Sequence, residues 1–173
     1  MNLRDRLQPA LLDRLTDLAP HSQVEAEDAR VMNKAQIREA VLRDLSWLLN
    51  SVQPLGKIAA TLYPQAAESV LNFGLPAMSG QLASRVDVSQ LERTIKQAIL
   101  RFEPRVMEDS LQVKALDASS VLDTHNVIEF EIHGFMWAQP VPLELLLRTQ
   151  LDLEAGQVEV RDMGSGTPVR RHP

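Results

Sequence analysis

Residues 87–115 read DVSQLERTIKQAILRFEPRVMEDSLQVKA, and the period of their apolar positions changes partway through. Val88, Leu91, Ile95, Ala98, Ile99 and Phe102 recur every three or four residues, which predicts an amphipathic helix over Asp87–Phe102. Asp87 serves as N-cap, and Gln90 three residues on completes a capping box. The helix stops at Glu103, because Pro104 pushes the residue before it out of the α region. Beyond the proline, Met107, Asp109, Leu111, Val113 and Ala115 alternate with the period of two expected of a strand over Arg105–Ala115. One proline thus divides a helical half from a strand half.

Toward the N-terminus, Lys34–Asn50 gives the strongest helical pattern. Ile37, Val41, Leu45, Leu48 and Leu49 form one stripe, Arg38, Glu39, Arg43 and Asp44 face away, and Trp47 lies at the stripe's edge. Pro54 and Gly56 confirm its end near Asn50–Ser51. Residues 52–86 have no sustained period; Ala66–Leu71 reads as a short helix and Asn72–Gly80 as a loop whose Gly74 and Gly80 meet unusual backbone angles. Toward the C-terminus, Ile128, Phe130, Ile132, Gly134 and Met136 share one face of a strand over Val127–Trp137. Leu143, Leu145, Leu147, Leu151 and Leu153 share one face over Pro142–Leu153, and a tight turn at Glu154–Gly156 leads to a strand over Gln157–Arg161. Short connections imply antiparallel hairpins. Phe73, Phe102, Phe130 and Met136 are read as core fillers. The expected fold class is α+β: two main helices packed on one face of a mostly antiparallel sheet of about four strands, with an N-terminal helical arm.

That arm occupies residues 1–20. Leu3, Leu7, Leu11, Leu15 and Leu18 recur at helical spacing, with the firmer helix over Pro9–Leu18 and a stop at Pro20. His21–Arg30 is polar and aperiodic, a linker. Two readings stay open: the arm folds back onto the domain, or its leucine stripe reaches a partner's groove. The expected organisation is residues 1–30 as arm and linker, 31–161 as the α+β domain, and 162–173 as a flexible tail.

Composition narrows the function. The chain has 173 residues, 45% hydrophobic and 24% charged, as in an ordinary globular domain. Cysteine is absent, which excludes disulfides, thiolate metal sites and cysteine nucleophiles. The four histidines, His21, His125, His133 and His172, are scattered without paired spacing, against a His-rich metal site. A net charge of −5 argues against nucleic acid as partner, and 4% aromatics argue against base- or sugar-stacking grooves. Acidic residues interrupt the N-terminal leucines, so no secretory signal is present, and no apolar run approaches the ~20 residues of a membrane span. The expectation is a cytoplasmic protein with no cofactor and no direct membrane insertion.

The one unusual constellation is Glu103-Pro104-Arg105 at the helix-to-strand corner. Proline stiffens the corner. In extended chain, Glu103 and Arg105 would point the same way with α-carbons about 6.5–7 Å apart. One reading is a helix stop with a surface ion pair. The other is a docking point in which Arg105 grips a partner carboxylate and Glu103 takes an arginine or an amide. A glycosidase role for Glu103 needs a protonated carboxyl and a second carboxyl at a set distance. An adjacent guanidinium favours the carboxylate instead, and no sugar-stacking rings surround Glu108 and Asp109. Ser79 lacks a nucleophile-elbow context, and His133 on the polar strand face suits a cross-strand hydrogen bond or solvent.

Three stretches together resemble a known family: ALLDRLTD (10–17), VLRDLSWLLN (41–50) with VLNFGLPAMSG (70–80), and ILRFEPRV (99–106). They look like the TssE family, the baseplate wedge subunit of type VI secretion, itself similar to a wedge protein of contractile phage tails. FEIHG (130–134) and TQLDLEAGQVEV (149–160) fit as well, so the resemblance spans about residues 9–161. Leu11-Leu12-Asp13-Arg14-Leu15 matches the amino-terminal signature that separates the secretion subunit from its phage relatives, and Glu103-Pro104-Arg105 matches the family hallmark. The resemblance implies a structural, non-enzymatic role with no cofactor. It implies partners among the other wedge subunits (the TssF, TssG and TssK families) and the contractile sheath, in a cytoplasmic baseplate docked at the inner membrane. It makes Glu103, Pro104, Arg105 and Leu11–Leu15 the expected interaction residues, and it admits a free strand edge that pairs with a sheath strand. Some relatives carry a "lysozyme-like" label, and the fold also resembles an anti-adaptor that shields a sigma factor. These leave two rival readings, a muramidase using Glu103 and a binding module of another system.

Overall fold

The computed structural model describes residues 10–16, 20–21, 32–78, 86–116, 127–138 and 141–164. Among the described residues five α-helices precede the sheet: α1 (Leu11–Leu15), α2 (Lys34–Asn50), α3 (Lys57–Leu62), α4 (Pro64–Glu68) and α5 (Val88–Phe102). Then come β1 (Gln112–Ala115), β2 (Val127–Met136), β3 (Leu143–Asp152) and β4 (Gln157–Asp162). The strands form one sheet in the order β1-β2-β3-β4, each neighbour antiparallel. The architecture is α+β, as the pattern of apolar periods predicts.

The helical stripes and the strand faces meet in one core. Val41, Leu45, Leu48 and Leu49 from α2 and Leu91, Ile95 and Ile99 from α5 are buried against Ile128, Phe130, Ile132, Leu145, Leu147 and Leu151. Each such side chain removed from water contributes about 2 kcal/mol. Phe130 and Met136 are fully buried, and half-buried Phe73 and Phe102 meet edge to face at 5.2 Å. Local signals fix the helix ends. Asn33 and Gln36 exchange capping hydrogen bonds at the start of α2, and Asp87 accepts from the Gln90 N–H at the start of α5.

The structure corrects the sequence expectation in four places. The strand expected over Arg105–Ala115 is broken: Val106 bridges Met136, residues Glu108–Ser110 form a 3₁₀ turn, and pairing resumes at Gln112 opposite His133. The segment holds three more residues than β2 between those pairings, and the turn absorbs them by pushing Met107 and Asp109 into solvent. The described part of residues 52–86 is less irregular than its pattern suggests, since α3, α4 and a 3₁₀ turn at Val70–Asn72 lie within it. Pro64 opens α4 at its first position, where a missing N–H costs nothing. The helix of the arm covers Leu11–Leu15, with Ala10 and Thr16 already extended, rather than Pro9–Leu18; Pro9, Leu18 and the linker after His21 lie outside the described residues, as do Leu3, Leu7 and most of the tail. Finally, β4 runs one residue beyond Arg161. Asp162 is buried and paired with Arg38 of α2, through Nε at 2.7 Å and a second guanidinium nitrogen.

Gly74 behaves as expected. Its φ is +118°, and a β-carbon there would stand 2.3 Å from the Ser51 carbonyl oxygen. Gly80 lies outside the described residues.

Neither sheet edge is bare. On β4 the Asn50 side chain accepts from the Val158 N–H at 2.9 Å and donates to the Val158 carbonyl at 2.8 Å, as a neighbouring strand would. On β1 the Ala115 N–H donates to Glu92 of α5 at 2.7 Å. A side chain from each covering helix thus takes edge groups that would otherwise recruit a strand.

Candidate functional site: the corner and the arm

The corner is a turn rather than extended chain. The Val106 N–H donates to the Glu103 carbonyl at 3.1 Å, closing a four-residue turn with Pro104 at its second position, where its fixed φ fits. The turn folds Arg105 back onto Glu103. Arg105 Nε donates to Glu103 Oε1 at 2.6 Å, a terminal guanidinium nitrogen reaches Oε2, and the Arg105 backbone N–H adds a third bond to Oε1 at 3.1 Å. Glu103 is 3% exposed, so this is a buried bidentate pair, not the surface pair of the simpler reading.

Arg105 also donates to Asp44 Oδ2 on α2. Burial by itself lowers the pKa of the guanidinium; the hydrogen bonds and charge of Glu103, then of Asp44, outweigh it and hold Arg105 above its ordinary value. The other oxygen of Asp44 accepts from Arg43, through Nε at 2.9 Å and a terminal nitrogen at 2.8 Å. Arg43 lies over the half-exposed Trp47 ring, 5.1 Å from its centre, and its remaining terminal nitrogen donates to Asp13 Oδ1 at 2.6 Å. Burial lowers the Arg43 pKa too, and Asp13 and Asp44 again outweigh it.

The two sets of residues singled out by sequence are therefore joined. Glu103, Arg105, Asp44, Arg43 and Asp13 alternate in charge from the corner, across α2, to the arm. Asp13 is inward-facing, with its side chain 6% exposed, whereas Leu11, Leu12, Arg14 and Leu15 of the same signature are exposed. Within the described turn of the arm, the aspartate thus touches the body while Leu11, Leu12 and Leu15 face outward. The helical pattern puts Arg43 and Asp44 on the face turned away from the apolar stripe. No periodic signal marks them, since their partners are 30 and 61 residues away.

Chemistry at Glu103 has no room. Both carboxylate oxygens are engaged and almost no surface remains for a substrate to reach. A cavity of about 380 Å³ between α3–α4 and α5 is lined by Gln53, Thr94, Arg101 and a single carboxylate, Glu68; Glu103 does not line it. His133 makes a cross-strand contact of 3.1 Å with Glu144, the structural role its position predicts. Among the described residues no group of three or more His, Asp or Glu side chains is arranged to hold a metal ion, and no helix is long and apolar enough to cross a membrane.

Comparison with known families matches residues 35–141 to the family described as "Baseplate wedge protein gp25". The match contains α2 with Arg43 and Asp44, and the Glu103–Arg105 corner; the arm lies before it. No curated protein and no solved structure matches the chain.

Proposed function

The chain belongs to the gp25 baseplate wedge family, a family of structural baseplate components, and from that premise we propose that it is the wedge subunit of a type VI secretion baseplate. In this reading it joins other wedge subunits of the TssF, TssG and TssK types and supports the first ring of a contractile sheath. It works in the cytoplasm, at a baseplate docked on the inner membrane. Residues 1–30 serve as arm and linker and residues 31–161 as the wedge domain, with the tail following.

The observation that carries the assignment to secretion rather than to a phage tail is the signature Leu11–Leu15, whose leucines stay exposed on a preformed turn of helix. Exposed leucines on one short helix are the chemistry of a segment that lies in a partner's apolar groove. The corner then acts from within. Glu103 and Arg105 satisfy each other, and their proposed role in partner binding is to hold rigid the surface around Pro104 and Arg105. A sheath strand pairing with β4 would have to run along Val160–Asp162 or displace Asn50.

The test is co-purification with the candidate wedge partners. Leu11→Glu with Leu15→Glu changes only exposed positions, so the fold and melting temperature stay as in the wild type while partner recovery falls at least about tenfold, the effect of ~1.4 kcal/mol. Unchanged recovery with all three partner types sinks the arm reading. Glycan hydrolysis by the pure protein, lost in Glu103→Gln, would establish the muramidase instead.

A further inference from the structure

We propose that the Asp13–Arg43 ion pair latches the arm to the body, and that Arg43 and Asp44 are positioning residues coupling this latch to the Glu103–Arg105 corner. The latch stands on the geometry alone; its consequence for partner binding rests on the function proposed above.

Helix α1 is five residues long and none of them is buried. A helix that short does not persist by itself in water, because nucleation costs more than one turn of hydrogen bonds returns. One carboxylate offsets that cost twice. Asp13 Oδ2 accepts from the Ala10 N–H at 3.2 Å and closes the first turn, while Oδ1 takes Arg43 at 2.6 Å. Leu11 and Leu15 are largely in solvent and Leu12 is about half exposed, while this inward carboxylate makes an ion pair that ties the turn to α2.

The guanidinium that receives it is fixed in place. Asp44 holds two of the Arg43 nitrogens and Trp47 lies beneath, so the third nitrogen points at the arm. Asp44 is fixed in turn, because its second oxygen is bound to Arg105 and Arg105 is forked onto buried Glu103. If Glu103 is weakened, Arg105 is freer to draw Asp44 away from Arg43, and the arm loosens. The two signature motifs thus act as one unit: the corner sets the direction in which the leucines are presented.

Amide hydrogen exchange on the full chain tests this. The reporters are the Arg14 and Thr16 N–H groups, which close α1 onto the Ala10 and Leu12 carbonyls. Arg43→Gln should speed their exchange about tenfold, as expected for loss of a hydrogen bond between charged groups. Asp44→Asn and Glu103→Gln, farther along the chain of charges, should speed it about two- to threefold, the remainder of the same effect. Arg38→Gln breaks a comparable buried pair with Asp162 outside the network, and should leave these amides unchanged. Unchanged exchange in Arg43→Gln overturns the latch. Faster exchange in Arg43→Gln with none in Glu103→Gln overturns the coupling. An equal effect from Arg38→Gln shows general loosening and overturns both. If Glu103→Gln does not fold, Asp44→Asn at its half-buried position reads the coupling instead, and unchanged exchange there overturns it. Faster exchange with undiminished partner recovery would refute the arm's binding role while leaving the latch intact.

Discussion

Replacing Glu103 with alanine should destabilise the protein far more than a surface position would. The carboxylate is 3% exposed and accepts three N–H groups of Arg105. Removing one partner of a buried pair costs about 3–5 kcal/mol, because the other charge stays desolvated. Arg105 keeps its bond to Asp44 and is 27% exposed, which reduces the loss. The expected cost is about 2–4 kcal/mol, the buried-pair figure less the share that solvent and Asp44 return. For a chain of this size that lowers the melting temperature by about 5–15 °C. Urea denaturation followed by circular dichroism measures it, with the midpoint falling and the slope unchanged. The double variant Glu103→Leu with Arg105→Met removes both charges and keeps the volume, so it should regain most of the loss and lie within about 1 kcal/mol of wild type. A Glu103→Ala protein melting within about 1 °C of wild type would refute the reasoning. So would a double variant less stable than the single one. The result matters for function, since an assembly defect in Glu103→Ala reports lost stability as well as lost docking.

Other outcomes follow from the same geometry. Asn50→Ala strips the strand-like cover from Val158; it should cost about 1–2 kcal/mol, speed exchange of the Val158 amide, and favour concentration-dependent self-association on light scattering. A chain ended after Arg161 loses the Asp162 carboxylate from Arg38 and should lose about 2–4 kcal/mol in the same denaturation assay. Gly74→Ala places a β-carbon against the Ser51 carbonyl at a backbone angle alanine avoids, and should cost more than about 2 kcal/mol, read as a drop in urea midpoint.

Much of the fold was legible because its causes are local and periodic. The stripe of α2, the Asp87 cap, the stop at Pro104 and the odd-numbered leucines of β3 each declare a face or an end through spacing alone. The misread places are those where the cause is distant. Alternation after Pro104 suggests a strand, but the Val106–Met136 bridge and the Gln112–His133 pairing are offset from one another, and only the paired strand reveals the three surplus residues. Asp162 looks like the start of a polar tail until Arg38, 124 residues earlier, is seen to hold it.

The same division runs through the candidate site. Residue order alone establishes a stiff acid–base corner and a leucine-bearing arm, because proline restricts backbone angles and leucine spacing marks a helical face. It also restricted the available chemistry, since a chain without cysteine and with scattered histidines lacks the groups that most metal and nucleophile sites use. Packing in three dimensions buries Glu103, turns Asp13 inward while its neighbouring leucines face out, and makes Arg43 and Asp44 join the two motifs. Charge pairing depends on distance in space, and α2 brings together carboxylates and guanidinium groups that neither period nor proximity along the chain connects.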